Sequence, residues 1–267
     1  MSARSTLRAL PALLRVGVYD ALSYRGEMIV WMLATTMPLV MLALWTAVAR
    51  DAPVGRYGQP QFVAYFLAAF VVRQLTGAWV FYAMNFEIKD GTLASRLLRP
   101  VHPLAAYAIE GVASMPLRVV VAIPVALLSL ALVGPGAVTH DLRLWGLWLV
   151  SIAGAWLLSL FVNCAVGCTA FFAESSMKFM DAWLVFYFVL SGYVVPIDLF
   201  PSGLRAVIDW LPFRYQIGLP IEIMTGALYP GEALALLARQ WAWVGVGLGV
   251  TALLWRRGLR HFAAHGG

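Results

Sequence analysis

Residues 62–84, FVAYFLAAFVVRQLTGAWVFYAM, contain a single charged side chain, that of Arg73. A helix needs roughly 20 mostly apolar residues to cross the hydrocarbon core of a bilayer, and this stretch is long enough. The whole 267-residue chain has the same character, since 62% of its residues are hydrophobic and 12% are charged. In a soluble domain about a quarter of the residues are charged. The sequence therefore predicts an all-α integral membrane protein.

Five further apolar stretches are long enough to be membrane spans. They are residues 29–49, 105–133, 145–172, 179–195 and 234–255. With residues 62–84 they predict six transmembrane helices joined by short connections. The chain has no low-complexity segment and no repeat of fixed period, so we expect one membrane domain over residues 1–267.

The basic residues are distributed unevenly between the two sides of these predicted spans. The side of the N-terminus receives eleven: Arg4, Arg8, Arg15, Arg25, Lys89, Arg96, Arg99, Lys178, Arg256, Arg257 and Arg260. The opposite side receives six: Arg50, Arg56, Arg143, Arg205, Arg214 and Arg239. Because cytoplasmic loops carry the excess of lysine and arginine, both termini are expected in the cytoplasm. The net charge of +6 indicates attraction to anionic membrane lipids, whereas the basic residues are too scattered for a nucleic-acid surface.

Neither the cysteines nor the histidines form a pattern typical of catalysis. Cys164 and Cys168 share one face of the predicted fourth span, but no histidine is near, so close helix packing is expected rather than a metal site. The four histidines lie near membrane boundaries or at the tail. An intramembrane protease needs a serine and a histidine on facing helices, and the sequence offers no such pair. We predict no catalytic residue and no metal site.

Residues 1–28 have the pattern of an amphipathic helix that lies in the cytoplasmic membrane interface. Arg4, Arg8 and Arg15 fall close together on a helical wheel. The adjoining face is apolar and consists of Leu7, Leu10, Leu14 and Val18. The alternative is a basic leader that only orients the first span.

The predicted cytoplasmic loop 85–104 contains the stretch DGTLASRLLRPVHPL, residues 90–104. Its glycine and its first proline delimit two possible helical turns, with Leu93, Leu97 and Leu98 on one side and Arg96 on another. A short amphipathic helix held between two spans is suited to docking on a cytoplasmic partner. The alternative is an ordinary interfacial loop.

Two motifs resemble those of ABC-2 type transporter permeases, in particular six-span bacterial export permeases. Residues 91–100, GTLASRLLRP, are similar to the family's G-x-L-x-x-x-L-L-R-P loop. Residues 190–196, LSGYVVP, then Pro201 and then residues 211–215, LPFRY, are similar to its S-G-x-x-x-P…P…L-N-P-x-x-Y pattern, without the asparagine. The order and spacing of these motifs extend the resemblance over nearly the whole chain.

The resemblance implies the permease subunit of an ATP-binding cassette exporter in a prokaryotic plasma (inner) membrane. Two separate ATPase subunits would dock beneath a dimer of permeases, the second permease being identical or homologous. The implied coupling residues are Gly91, Leu93, Arg96, Leu97, Leu98, Arg99 and Pro100. Neither lysine of the chain, Lys89 or Lys178, lies in a G-x-x-x-x-G-K-[ST] phosphate loop, so the chain is not expected to be an enzyme, and ATP and Mg belong to the partner subunits.

Residues 196–233 are interrupted by five prolines, yet remain rich in Leu, Ile, Phe and Trp. Irregular backbone at membrane depth is tolerated where protein or a water-filled cavity covers it. We therefore expect an external re-entrant helical hairpin, which by the resemblance would close the exit of a translocation path. The expected gate residues are Ser191, Gly192, Pro196, Pro201, Pro212 and Tyr215.

Three charged residues, Arg73, Glu110 and Arg118, lie within predicted spans at a depth below the lipid headgroups. A charge at that depth normally faces a partner or a cavity. The two cations suggest an anionic cargo group or a lipid phosphate; ion pairs with Glu110 or with acids of the second permease are the alternative. A different class of function, a non-transporting membrane scaffold or assembly factor, is distinguished by whether an ATPase subunit co-purifies.

Overall fold

The computed structural model describes residues 11–12, 14–19, 23, 26 and 35–262. Regular structure in this part of the chain is helical, and an isolated bridge joins Val54 to Tyr57. The predicted all-α class is therefore confirmed.

The α-helices between residues 35 and 262 are numbered in chain order. They are α1 (Met37–Val48), α2 (Gln59–Thr76), α3 (Val80–Lys89), α4 (Leu93–Leu97), α5 (Pro103–Ala113), α6 (Met115–Val133), α7 (Leu142–Cys168), α8 (Met177–Leu190), α9 (Ser202–Ile208), α10 (Gly218–Met224) and α11 (Pro230–Leu259). Short 3-10 helices lie at Pro135–Ala137, Thr169–Phe171, Ile197–Leu199 and Arg214–Gln216.

Four helical segments of the described chain are long and apolar enough to cross a membrane. They are Gln59–Lys89, Pro103–Val133, Leu142–Phe171 and Pro230–Leu259, which correspond to the second, third, fourth and sixth predicted spans. The predicted first span overlaps α1, which has 12 residues, and residues 29–34 lie outside the described part. The predicted fifth span corresponds to α8, of 14 residues. The helices fit a multi-pass membrane protein, and the count of six remains a prediction.

Two of the long segments are interrupted near their middle. The backbone leaves helical geometry at residues 77–79, between α2 and α3, where Gly77 is extended. The other interruption is at Ser114, between α5 and α6, and Pro116 follows in the first turn of α6. Proline is tolerated in a first turn because those N–H groups have no intrahelical acceptor. Both predicted spans are therefore pairs of helices.

The segment Gln59–Lys89 is central in the bundle, since 72% of its most apolar window is buried, against 11% for Pro103–Val133. α2 packs against α1 and α6, whereas α7 packs along α11 and against α3. One apolar cluster joins α1, α2 and the segment after α8; a second joins α3, α4, α5, α7 and α11. Cys164 and Cys168 are buried in the second cluster.

The proline-rich region 196–229 contains two short helices, α9 and α10. All seven residues of α10 are buried, and the helix packs on α7 and α2. Gly192 and Gly218 allow close backbone contact here: a Cβ atom at Gly192 would lie 3.2 Å from the Cα of Gly218, and one at Gly218 would lie 2.9 Å from the carbonyl oxygen of Ser191. Gly192 also has a φ of +87°, which favours glycine. The region is thus closely packed rather than an open loop.

Candidate functional site

The predicted coupling loop forms the short helix α4. Gly91, with φ of +74°, forms the bend between α3 and α4. Leu93 is fully buried and Leu97 packs beside it, because residues four apart share a helix face. Leu98 is turned away and is 88% exposed. The three leucines therefore do not share one side, which corrects the sequence-based expectation. The exposed surface of the loop includes Leu98 and the two residues that follow it, Arg99 and Pro100, together with Thr92 and Ser95.

Arg96 fastens α4 to the two helices on either side of it. Its Nε donates to both carboxylate oxygens of Glu87 on α3, at 2.9 and 2.7 Å. Its Nη1 and Nη2 donate to Glu110 on α5, at 2.6 and 3.3 Å. The guanidinium lies over the ring of Tyr107, 4.3 Å from the centroid, and the Tyr107 hydroxyl donates to Glu87 at 2.6 Å. This predicted docking residue thus has its partners within the chain.

The side chain of Arg96 is 14% exposed. Burial lowers the pKa of Arg96, but hydrogen bonds and charge from Glu110 and Glu87 outweigh it and raise this pKa above its ordinary value. Arg96 therefore stays cationic at any physiological pH, and the attachment of α4 does not depend on pH through this group.

A cavity of about 490 Å³ between α2, α3, α5 and α6 brings together the three charges predicted inside the membrane, Arg73, Glu110 and Arg118. Much of the remaining lining is aromatic and includes Trp79, Tyr82, Phe86 and Tyr107. Within the described residues, the ion pairs include neither Arg73 nor Arg118, since Glu110 pairs with Arg96 instead. The intrachain pairing considered from the sequence is thus absent in this part of the chain.

The break between α2 and α3 explains how two arginines are accommodated at this depth. Arg118 Nη1 donates to the carbonyl oxygen of Gly77. The guanidinium of Arg73 lies 5.3 Å from the ring centroid of Trp79 and 5.7 Å from that of Tyr187. Carbonyl groups at a helix C-terminus carry partial negative charge, which favours cations. Arg118 is therefore held by a backbone carbonyl at the break, and Arg73 by the faces of two aromatic rings.

A smaller cavity, of about 40 Å³, is also lined by Arg73. It shares Arg73, Trp79 and Tyr82 with the larger cavity and adds three polar residues, Ser159, Asn163 and Gln216. The Ser159 hydroxyl donates to Gln216 Oε1 at 3.3 Å, and Asn163 Nδ2 donates to the carbonyl of Ser159 at 2.9 Å. Gln216 Nε2 is buried and has no hydrogen-bond partner among the described residues. Arg73 thus borders both spaces.

The predicted gate residues are mostly buried and tied to neighbouring helices. Tyr65 on α2 donates to the carbonyl of Gly192 at 2.7 Å, and Trp45 on α1 donates to the carbonyl of Val194 at 3.0 Å. Ser191, Pro196 and Pro212 are buried, whereas Pro201 is exposed. The Tyr215 hydroxyl donates to the carbonyl of Asp209. These residues fix the segment after α8 to the bundle.

A buried ionic cluster beside the predicted gate was not predicted from the sequence. Arg214 pairs with Asp209 and, at 2.6 Å, with Glu222 on α10. Gln240 on α11 donates to the backbone carbonyl of Tyr215 at 2.8 Å. The sequence does contain a signal for this cluster: Glu222 is a lone carboxylate between apolar residues, in a segment expected at membrane depth.

The predicted interfacial helix is described only in part. Residues 14–19 are helical and Arg15 is exposed. A Cβ atom at Gly17 would lie 2.6 Å from the Cβ of Ala113, so this helix packs against the end of α5. Arg4 and Arg8 lie outside the described residues.

A comparison with protein-family models gives a match that covers nearly all of these features. The family model described as ABC-2 family transporter protein matches residues 28–266, which include both motif regions and all the helices from α1 to α11. No curated protein matches the chain individually. The match agrees with the resemblance found in the two motifs and extends over both cavities. This chain belongs to the ABC-2 family of transporter proteins, the membrane components of ABC transporters.

Proposed function

We propose that the protein is the permease subunit of an ATP-driven exporter, paired with a second permease and driven by two separate ATPase subunits. The observation that carries this proposal is the construction of α4, whose outer surface is exposed at Leu98 while Arg96 fastens it to α3 and α5. The second permease is an identical or a homologous chain. ATP and Mg are bound by the ATPase subunits; in support, neither lysine of this chain lies in a G-x-x-x-x-G-K-[ST] phosphate loop.

The attachment of α4 supplies a route from the ATPase subunits to the cavity. Glu87 and Glu110, which Arg96 joins, belong to the two helices that also carry cavity residues, Phe86 on α3 and Gly111 on α5. A displacement of α4 therefore moves two walls of the cavity together. Rigid movement of packed elements about an interface is a common form of switching in proteins.

The proposed arrangement in the membrane has six spans, with both termini in the cytoplasm of a prokaryotic inner membrane. α9 and α10 form the external re-entrant hairpin, and the residues around Gly192 and Tyr215 close the exit. The distribution of basic residues supports this orientation. The complete burial of α10 against α7 and α2 supports a hairpin covered by protein.

The docking surface is tested by a paired substitution and a matched control. Leu98→Asp with Arg99→Glu changes the exposed end of α4, whereas Leu142→Asp with Arg143→Glu makes the same changes at the start of α7. Leu142 is 83% exposed, close to the 88% of Leu98, so both double variants are expected to fold. We expect the first to lose co-purification with a co-expressed ABC ATPase subunit and the second to retain it.

If the ATPase subunit co-purifies equally with both variants, α4 is not the docking element. If the unaltered chain, expressed with its candidate ATPase subunits, binds none of them, the exporter proposal is wrong and a non-transporting scaffold becomes the better description.

A further inference from the structure

The larger cavity has an excess of positive charge at its end near Gly77. Nη1 of Arg73 and Nη1 of Arg118 lie 3.2 and 3.3 Å from the position of a Cβ atom at Gly77, so the two guanidinium groups are neighbours. The carboxylate of Glu110, on the same cavity, accepts two hydrogen bonds from Arg96. A charge at membrane depth normally faces a partner or a cavity, so an anionic ligand group matches this end.

The rest of the cavity wall is suited to an apolar body. Val80, Tyr82, Ala83 and Phe86 on or beside α3 line it. Its volume of about 490 Å³ is in the usual range for sites that bind small organic molecules. A ligand that matches both ends has one anionic group and an attached apolar chain or ring system.

We propose that this cavity binds amphipathic anions, with a carboxylate, sulfonate or phosphate group held between Arg73 and Arg118, and that Arg73 transfers this group to the smaller cavity. The proposal rests on the transport function proposed above and names its substrate class. Arg118 is the fixed contact, because it also donates to the Gly77 carbonyl. Arg73 is the shared contact, because it borders both cavities.

The smaller cavity has the chemistry of a second position for the anionic group. Its volume of about 40 Å³ excludes the apolar body but exceeds the minimum of roughly 10–15 Å³ that a single water requires. Gln216 is 3% exposed, and its Nε2 is buried without a partner among the described residues. A neutral amide donor next to Arg73 can bind an anionic oxygen without adding a second full charge that would trap it.

Ligand class is tested by equilibrium binding of radiolabelled dodecyl phosphate to the complex in nanodiscs of neutral lipid. Arg73→Gln and Arg118→Gln are each expected to weaken binding by about tenfold or more, because each removes charge-assisted hydrogen bonds. Arg143→Gln, an exposed arginine at the start of α7, is the matched control and should bind as the unaltered chain does. Arg73→Lys should retain part of the affinity.

Competition shows which feature of the ligand is recognised and where the anion comes from. Dodecanoate should displace dodecyl phosphate, whereas dodecanol and dodecyltrimethylammonium should not. Displacement by phosphatidylglycerol in the nanodisc would identify a membrane lipid as the source; its failure would identify a free amphipathic anion. Equal competition by dodecyltrimethylammonium would overturn the proposal, and this arm needs only the unaltered protein.

The second cavity is tested by Gln216→Met, which keeps the side-chain volume and removes the amide donor. Binding of dodecyl phosphate should stay within about twofold, while stimulation of the complex's ATPase activity by this ligand should be lost. Retained stimulation would overturn the transfer step. ATPase co-purification is measured on the same preparations, so failure of anion binding with an intact complex refutes this inference alone.

Discussion

Replacement of Arg96 by glutamine is predicted to lower the free energy of unfolding by about 3 kcal/mol. The bonds to Glu87 are short, 2.7 and 2.9 Å, and both side chains are mostly buried, so this pair contributes about 2 kcal/mol. The carboxylate of Glu110 is 48% exposed, and that pair contributes at most about 1 kcal/mol. Contact with the Tyr107 ring adds about 0.5 kcal/mol. Arg96 is therefore predicted to stabilise α4 mainly through α3.

Double-mutant cycles measured by equilibrium unfolding in mixed micelles separate the two pairs. Arg96→Gln with Glu87→Gln should give a coupling of about 2 kcal/mol, and Arg96→Gln with Glu110→Gln a coupling below about 1 kcal/mol. Arg99→Gln, at an exposed position of the same loop, should change stability by less than about 0.5 kcal/mol. A stronger coupling to Glu110 than to Glu87, or equal effects of Arg96→Gln and Arg99→Gln, would refute the reasoning.

Two further predictions concern the segment that follows α8. Gly192→Ala should lower thermal stability by the equivalent of about 1–3 kcal/mol, since the backbone has positive φ and the new Cβ would lie 2.7 Å from the Tyr65 hydroxyl oxygen; Gly203→Ala, with open space around it, is the control and should be neutral. Ser202→Cys, in a background without the two native cysteines, should react with an impermeant thiol reagent added to intact cells, and labelling only after lysis would overturn the proposed topology.

The membrane class and most helix positions could be predicted from the sequence, because long apolar runs have few alternative structures. The break at residues 77–79 could not, since glycine is common within transmembrane helices and Gly77 alone does not mark a break. The meeting of Arg73 with Arg118 depends on how two distant helices pack, which local pattern does not specify. The inward orientation of Arg96 also depends on tertiary packing. The sequence of a five-residue helix does not define which face is buried, and the burial of Leu93 sets the orientation of α4.

The hydrogen bond from Tyr65 to Gly192 also sets an order of events during synthesis. Its two residues are 127 positions apart. At a synthesis rate of roughly 5–20 residues per second, Tyr65 is synthesised roughly 6–25 s before Gly192. For Trp45, whose acceptor lies 149 positions later, the delay at the same rate is roughly 7–30 s. The donors on α1 and α2 are therefore made before their acceptors, and the bundle is completed only after the second half of the chain has been synthesised.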